Sequence, residues 1–388
     1  MYLKQITDSA LAQNAYLIAC QRTGEAIIVD PERDVDRYLE LAEAEGFRIV
    51  AAADTHIHAD YLSGARELVE RHGAIAYLSA DGGTDWQFEW AKAHDSTRFL
   101  SGGDSFSIGK IRFEAVASPG HTPEHLSFLV TDIGGGASEP MALLSGDFIF
   151  VGDVGRPDLL ESAAGQEGVM EPSARTLYAS LRATADLPDY VQILPAHGAG
   201  SACGKSLGAI PTSVLGYERL NNGALRQALH GEEDPFVHEI LDGQPEPPRY
   251  FARMKHDNKV GPALLPAGKL PEPHRLSAEE LQELGASSVA LDMRTDRGEF
   301  MVRHLIGSLW APIMEGRLSV VAGSYLDAET RIVLLVSDES ELDEAVRQLV
   351  RIGMDKVVGW IPVEEAMAGG VTQELERITT AELGRALG

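Results

Sequence analysis

Thr55-His56-Ile57-His58-Ala59-Asp60-Tyr61 stands between an apolar run, Arg48–Asp54, and a stretch of helical periodicity, Leu62–His72, that Gly73 closes. A strand delivers the chain to this segment and a helix carries it away. Where the chain turns between them, two histidines one residue apart and the following aspartate converge on one spot. Three more His or Asp clusters lie downstream, each just past an apolar strand. Ser118-Pro119-Gly120-His121-Thr122-Pro123-Glu124-His125 follows Ile111–Ala117, Ser145-Gly146-Asp147 follows Met141–Leu144, and Pro195-Ala196-His197-Gly198 follows Val191–Leu194. A lone histidine is usually a solvated surface residue, and an Asp after Gly is usually a turn residue. Four such clusters, each at a strand end, instead describe loops carried on a rigid scaffold, where sites are built.

Around these clusters the chain alternates strand and helix. The N-terminus reads as two short strands joined by a turn at Thr23-Gly24, with Ala26–Asp30 an apolar run and Cys20 a core residue. Helical periodicity over Asp34–Glu45 and strand character over Ala74–Ser79 follow, then shorter strands at Phe106–Ile108, Ile111–Ala117, Leu126–Thr131 and Met141–Ser145. The order predicts two sheets covered by helices, an α/β sandwich.

The 388 residues suffice for two domains, and at 44% hydrophobic they can bury real cores. Lys plus Arg number 33 against 59 Asp plus Glu, a net charge of -26. Such a surface repels phosphate backbones and anionic lipid, so neither nucleic acid nor membrane is expected as a partner. An anionic substrate would need a local cationic patch set against this field. The first residues lack the features of a signal peptide, and no run is long enough to span a bilayer. Two cysteines, Cys20 and Cys203, make no disulfide framework, and the expected location is cytoplasmic.

Between Pro245 and Pro273 seven prolines punctuate the chain, which reads as a tether wrapping the surface rather than a packed element. A second unit opens at Leu276-Ser277-Ala278-Glu279-Glu280, where Ser277 and Glu280 can form a capping box. Strand Val289–Asp292, helix Asp296–Phe300, strand Ile332–Val336, helix Glu341–Ile352 and strand Lys356–Val358 fit a small doubly wound parallel sheet.

The order His-x-His-x-Asp, Gly-His, Gly-Asp and a late His resembles the metal-binding pattern of the metallo-β-lactamase fold, over roughly residues 1–250. The expected architecture is α/β: an αββα sandwich over residues 1–250, a Pro-rich linker over 251–274 and a small doubly wound, rhodanese-like domain over 275–388. Hydrolases of the glyoxalase II kind hold two metals and carry a His where Tyr61 stands. A phenol is a poorer zinc ligand than imidazole. What remains is one metal held by His56, His121 and Asp147, the two-histidine, one-carboxylate set of non-haem Fe(II) oxygenases.

This arrangement resembles the persulfide dioxygenases of the same fold. The resemblance implies one Fe(II) per chain on His56, His121 and Asp147, with His58, Asp60 and His197 supporting them by hydrogen bonding. Tyr61 is then positioned to donate to oxygen or substrate. Gly152-Asp153-Val154-Gly155-Arg156-Pro157-Asp158-Leu159 is similar to a Gly-Arg-Thr-Asp stretch of that family and makes Arg156 a candidate substrate anchor, its planar fork suited to a carboxylate. His197-Gly198-Ala199-Gly200-Ser201-Ala202-Cys203-Gly204-Lys205 resembles fusion proteins joining such a dioxygenase to rhodanese domains. There Cys203 would carry or receive sulfane sulfur, with Lys205 lowering its pKa.

Leu291-Asp292-Met293-Arg294 through Glu299-Phe300, and His304-Leu305-Ile306-Gly307-Ser308-Leu309, resemble early rhodanese motifs. An active rhodanese needs a Cys after the strand Arg331–Val336. The segment reads Val336-Ser337-Asp338-Glu339-Ser340, and no cysteine follows Cys203. Sulfur transfer through a Cys persulfide in this domain is excluded by chemistry. The implied activity is oxidation of a low-molecular-weight thiol persulfide, such as glutathione persulfide, by O2 to sulfite and free thiol, in a protein expected to be a homo-oligomer. The alternative is a glyoxalase II-like thioester hydrolase, which uses a metal-bound hydroxide.

Overall fold

The computed structural model of the chain describes residues 1–162, 168–375 and 379–387. It divides into two compact units, Met1–Leu270 with Arg351–Gly353, and Pro271–Val350 with Met354–Gly388.

Two six-stranded sheets form the first unit. One runs in the order β1 (Tyr2–Asp8), β2 (Gln13–Cys20), β3 (Glu25–Val29), β4 (Arg48–Ala53), β5 (Ile75–Ser79), β6 (Thr97–Leu100). The other runs β12 (Ser213–Val214), β11 (Gln192–Pro195), β10 (Ala142–Gly146), β9 (Leu126–Asp132), β8 (Ile111–Ala117), β7 (Ser105–Ile108). The two N-terminal strands expected from sequence are β2 and β3, antiparallel across the turn at residues 21–24, and β1 adds a third.

Side-chain alternation along β2 explains the layering. Ala15, Leu17 and Ala19 point to one face, where α1 (Asp36–Ala44) and α2 (Ala65–His72) cover them with Tyr38, Ala42, Ala65 and Leu68. Tyr16, Ile18 and Cys20 point to the other, against Phe113, Phe128, Val130 and Leu144 of the second sheet. A central strand buried on both faces must be apolar throughout, as β2 largely is. The outer face of the second sheet, Leu129, Leu143 and Ile193, packs on helices Met170–Ala183, Gly223–His230 and Glu233–Leu241 through Leu177, Leu181, Leu225 and Phe236. The result is helix, sheet, sheet, helix, as expected.

One expectation is corrected. Residues 251–260, read as part of a linker, form an α-helix, Phe251–Val260, that buries Phe251, Met254 and Asn258. Downstream, Arg66 donates to the carbonyls of Gly261 (3.1 Å) and Pro262 (3.0 Å), and Arg71 to that of Leu265 (2.7 Å). The prolines mark bends in a segment fastened to the first unit.

The second unit has a five-stranded sheet, parallel throughout, in the order His274–Arg275, Val357–Pro362, Ile332–Val336, Val289–Asp292, Leu309–Trp310. The Ser277–Glu280 capping box opens helix Ala278–Leu284. Leu276, Val333, Leu335, Ile361 and Met367 form part of its core. Among the described residues, no helix is long and apolar enough to cross a membrane.

Candidate metal centre

All four clusters emerge at C-terminal strand ends of the first unit: His56 after β4, His121 after β8, Asp147 after β10, His197 after β11. β10 ends in a register shift between Leu144 and Gly146, and Gly146 takes φ 54. A Cβ there would stand 2.6 Å from both Thr55 Oγ1 and His125 Nε2, so only glycine lets this turn deliver Asp147 between the histidine loops.

His56, His121 and Asp147 are buried and bring one donor atom each within 4.8 Å of one another. Their hydrogen bonds leave the ligating atoms free. The His121 Nδ1–H donates to the carbonyl of Arg156 at 2.9 Å, so its Nε2 carries a lone pair; this atom is 3.5 Å from Asp147 Oδ2. The Thr55 hydroxyl donates to Asp30 Oδ2 (3.1 Å) and therefore accepts from His56 Nδ1 (3.0 Å). His56 Nε2 is thus also a lone-pair donor, 3.9 Å from Asp147 Oδ2. Burial disfavours the imidazolium, holding His56 well below the usual histidine range and His121 at about 3. Both oxygens of Asp147 are buried without a hydrogen-bond donor, and burial lifts its carboxyl to about 6. Two neutral imidazoles facing an unpartnered carboxylate make a cation site: the charge that a divalent ion brings is the one the pocket lacks.

His58 groups with Asp30 and Asp54, and its buried Nδ1 has no hydrogen-bond partner. Its Nε2 pairs with Asp30 Oδ1 at 3.1 Å. Although burial opposes its charge, Asp30, Asp54 and Asp60 raise His58 to about 9. Asp60 and His197 lie on the other side of Asp147: His197 Nε2 is 3.4 Å from Asp60 Oδ2 and 3.4 Å from Asp147 Oδ1. Cys203 joins them, the three donor atoms lying within 4.8 Å of one another.

Three expected roles are corrected. Tyr61 cannot offer its hydroxyl to a substrate: it is buried, donating to the Asp30 carbonyl and accepting from Gln13 Nε2, both at 3.2 Å. Arg156 is no open anchor. Its Nε and Nη2 grip Asp158 at 2.8 and 2.6 Å, and Nη1 donates to the Ala202 carbonyl at 3.2 Å. The fork that would hold a substrate carboxylate holds one two residues away. Lys205 does not activate Cys203, because its ammonium donates to the Asp242 carbonyl. Burial, then Asp147 and Asp60, push the Cys203 thiol well above its ordinary value.

Sequence reasoning passed over four residues that build the site. Asp30, at the end of β3, accepts from the Thr55 N–H (2.7 Å), the Thr55 hydroxyl and His58. His125 accepts the Asp147 N–H at 3.0 Å through Nε2 and donates from Nδ1 to Ser118 Oγ at 2.8 Å. Glu124 accepts the Ile57 N–H at 2.8 Å. Asn258 donates to the carbonyls of His58 (2.8 Å) and Tyr61 (2.7 Å) and accepts from Ser63 N–H (2.8 Å). Glu124 and His125 lie in the stretch quoted for His121, so proximity to a ligand was the signal available for them.

Comparison with known proteins agrees with this geometry. The metallo-beta-lactamase superfamily profile matches residues 8–197. The mitochondrial persulfide dioxygenase ETHE1 of Homo sapiens is 30% identical over 200 residues, 50% of this chain and 67% of that one. A hydroxyacylglutathione hydrolase-like protein of Homo sapiens is 30% identical over 182 residues, 47% of this chain and 54% of that one, so the chain spans about half the length of that relative. A crystal structure described as a metallo-beta-lactamase from Staphylococcus aureus subsp. aureus COL superposes with a TM-score of 0.80 at 38% identity, covering 93% of this chain and 99% of that one. With this sandwich, these His and Asp donors at its strand ends and these relatives, the chain belongs to the metallo-beta-lactamase superfamily.

Proposed function

We propose that the chain is a non-haem iron persulfide dioxygenase, with one Fe(II) on His56, His121 and Asp147. The observation that carries this reading is the donor set itself: two neutral imidazoles and one carboxylate, their free atoms turned to one point. That set leaves coordination positions open and suits Fe(II) oxygen chemistry. Iron held by these three residues would supply electron-sharing chemistry toward O2 and a persulfide sulfur. The overall change balances as RSSH + O2 + H2O giving RSH, sulfite and two protons. The likeness to the persulfide dioxygenase of Homo sapiens supports the reading.

The protein's own contribution is orientation. The Arg156 carbonyl fixes the tautomer of His121, Thr55 fixes that of His56, and His125 fixes the Asp147 main chain. The buried Phe148 and Phe150, near His125 and His197, give the site an apolar wall. The substrate is a small thiol persulfide such as glutathione persulfide. The second unit reads as rhodanese-like but without sulfur transfer. Its strand Ile332–Val336 runs into Ser337-Asp338-Glu339-Ser340, where Asp338 accepts the Ser340 N–H at 2.8 Å in place of a thiolate loop.

The hydrolase relative favours a second reading, thioester hydrolysis. One experiment separates them. Iron-loaded protein is given glutathione persulfide while oxygen uptake and sulfite are followed, with a glutathione thioester in a parallel assay. Stoichiometric uptake and sulfite are expected. Thioester turnover without oxygen uptake, in protein shown to hold Fe(II), would replace the dioxygenase reading with the hydrolase one.

A further inference from the structure

Arg351–Gly353 belong to the first unit, although the residues before and after them in the chain belong to the second. Arg351 is 2% exposed, and its main chain and side chain serve two neighbouring parts of the metal centre. Its main-chain carbonyl accepts the Leu62 N–H at 2.7 Å. Leu62 follows Tyr61 directly, where the loop that carries His56, His58 and Asp60 ends. The next carbonyl, of Ile352, accepts from Arg253 at 2.8 Å.

The guanidinium lies among three buried carboxylates. Nε and Nη2 bond the two oxygens of Asp34 at 3.2 and 2.8 Å. Nη1 stands 3.1 Å from Asp8, and Nε 3.5 Å from Glu32. Arg37 also reaches Glu32 and lies 3.4 Å from Asp34. Burial pushes the Glu32 carboxyl well above the usual range, and Arg351 exerts the largest pull in the other direction. Carboxylates gathered out of water in this way are held by the cation between them, and removing it leaves buried charge uncompensated.

Glu32 and Asp34 lie in the stretch that seats the ligand loop. Asp30 accepts from Thr55 and His58 and takes φ 53. A non-glycine residue in that region persists only where its surroundings hold it. The Pro31 carbonyl accepts the Gly64 N–H at 2.8 Å, and Glu32 pairs with Ser63 in an isolated antiparallel bridge. The Ser63 hydroxyl donates to Asp54 at 2.8 Å, which closes the loop 54–63 at its stem. Arg351 therefore braces the seat with its side chain and the loop with its carbonyl.

We infer that Arg351 is a positioning residue of the metal centre, which keeps the loop of His56 in register with His121 and Asp147. It contributes no donor atom. It acts through the Asp30–Asp34 stretch and the Leu62 N–H. Metal binding in the first unit thereby depends on a side chain far beyond residues 8–197, the part that the superfamily profile matches. The inference rests on the metal site of the proposed function and not on the reaction that follows there.

The test uses the full chain, stripped of metal by a chelator and titrated with Co²⁺ without oxygen. Competition with a chromophoric chelator gives the affinity, and the visible d–d bands report the donor geometry. Arg351→Met removes both the cation and the fork, and affinity is expected to fall about tenfold or more, with altered bands. Arg351→Lys keeps a charge among the carboxylates but cannot grip Asp34 at two points, and is expected to fall between Arg351→Met and the parent. Leu225→Ala, a cavity in the helix layer over the second sheet, measures plain destabilisation: a lowered melting temperature with parental affinity and bands. Parental affinity and bands in either Arg351 variant overturn the inference, whatever the melting temperature does. So does an equal loss in Leu225→Ala. Should Arg351→Met fail to fold, Arg351→Lys decides alone by the same criterion. A parent chain that binds no Co²⁺ would overturn the metal site itself, a result distinct from parental binding in the variants. Because no turnover is read, failure of the dioxygenase assay leaves this result untouched.

Discussion

The Asn258 amide donates to the main-chain carbonyl of Tyr61 at 2.7 Å, across 197 residues of sequence. The same amide reaches the His58 carbonyl at 2.8 Å, and its oxygen accepts the Ser63 N–H at 2.8 Å. One buried side chain therefore closes three main-chain groups in the loop that carries His56 and Asp60. Asn258→Ala leaves all three unsatisfied in a place water does not reach. A loss of roughly 2–4 kcal/mol is expected at about 1 or more per orphaned group. Urea unfolding of the first unit would show it, and metal affinity measured by chelator competition would fall with it. Unchanged stability would mean that the loop holds its shape without the helix.

Tyr61→Phe tests whether the phenol acts on chemistry or on the fold. Its hydroxyl touches the Asp30 carbonyl and Gln13, and Gln13 Nε2 keeps its own 2.7 Å bond to that carbonyl when the hydroxyl is gone. The expected cost is about 1 kcal/mol of stability, with turnover of the iron-loaded protein within a few-fold of the parent. A drop in kcat of a hundredfold at normal iron content would return Tyr61 to the reacting atoms.

The site was legible in sequence to the extent that it rests on strand ends. His56, His121, Asp147 and His197 each follow an apolar run, and burial of both sheets forces such runs to be apolar. The layers were legible for the same reason: the apolar run Ala26–Asp30 is the buried strand β3, and the apolar run Arg48–Asp54 is β4. What escaped is the set of groups that act through the main chain at long range. Nothing near Asn258 in sequence hints that it caps carbonyls at 58 and 61. Its helix was hidden by flanking prolines and by a polar residue on its buried face. Arg156 was misassigned because an Arg with an Asp two residues on is equally a substrate fork or a closed internal pair. The spacing alone does not tell which.

Arg156→Lys distinguishes those two roles by kinetics. Lysine keeps the charge but cannot grip Asp158 at two points. The segment whose carbonyl orients His121 then loosens. Iron affinity is expected to fall about tenfold or more, as for other groups that orient a ligand. At saturating iron, KM for the persulfide should stay where it was. Intact iron affinity with a raised KM would make Arg156 a substrate anchor after all.

Gly155 occupies the narrowest point beside the metal ligands. A Cβ at this residue would stand 1.8 Å from the Asp147 carbonyl oxygen, 2.9 Å from its carbon and 3.2 Å from the His121 Cβ. The nearest clash is with backbone, which cannot swing aside as a side-chain tip can. Gly155→Ala must therefore push the Asp147 turn and the His121 loop apart. Overpacking of this kind costs about 1–3 kcal/mol, and more where backbone must shift. The fold can absorb that cost, but the donor set cannot, since displacement of a ligand by a few tenths of an ångström spoils a shared point. The expected result is folded protein by circular dichroism, with a lowered melting temperature and iron content well below one per chain. Substitution at Gly73, which ends α2 and has nothing within 4 Å of the added Cβ, provides the contrast: strain from its φ of 67 without loss of iron. Equal iron in both variants would mean that the Asp147 turn is more pliant than its packing implies.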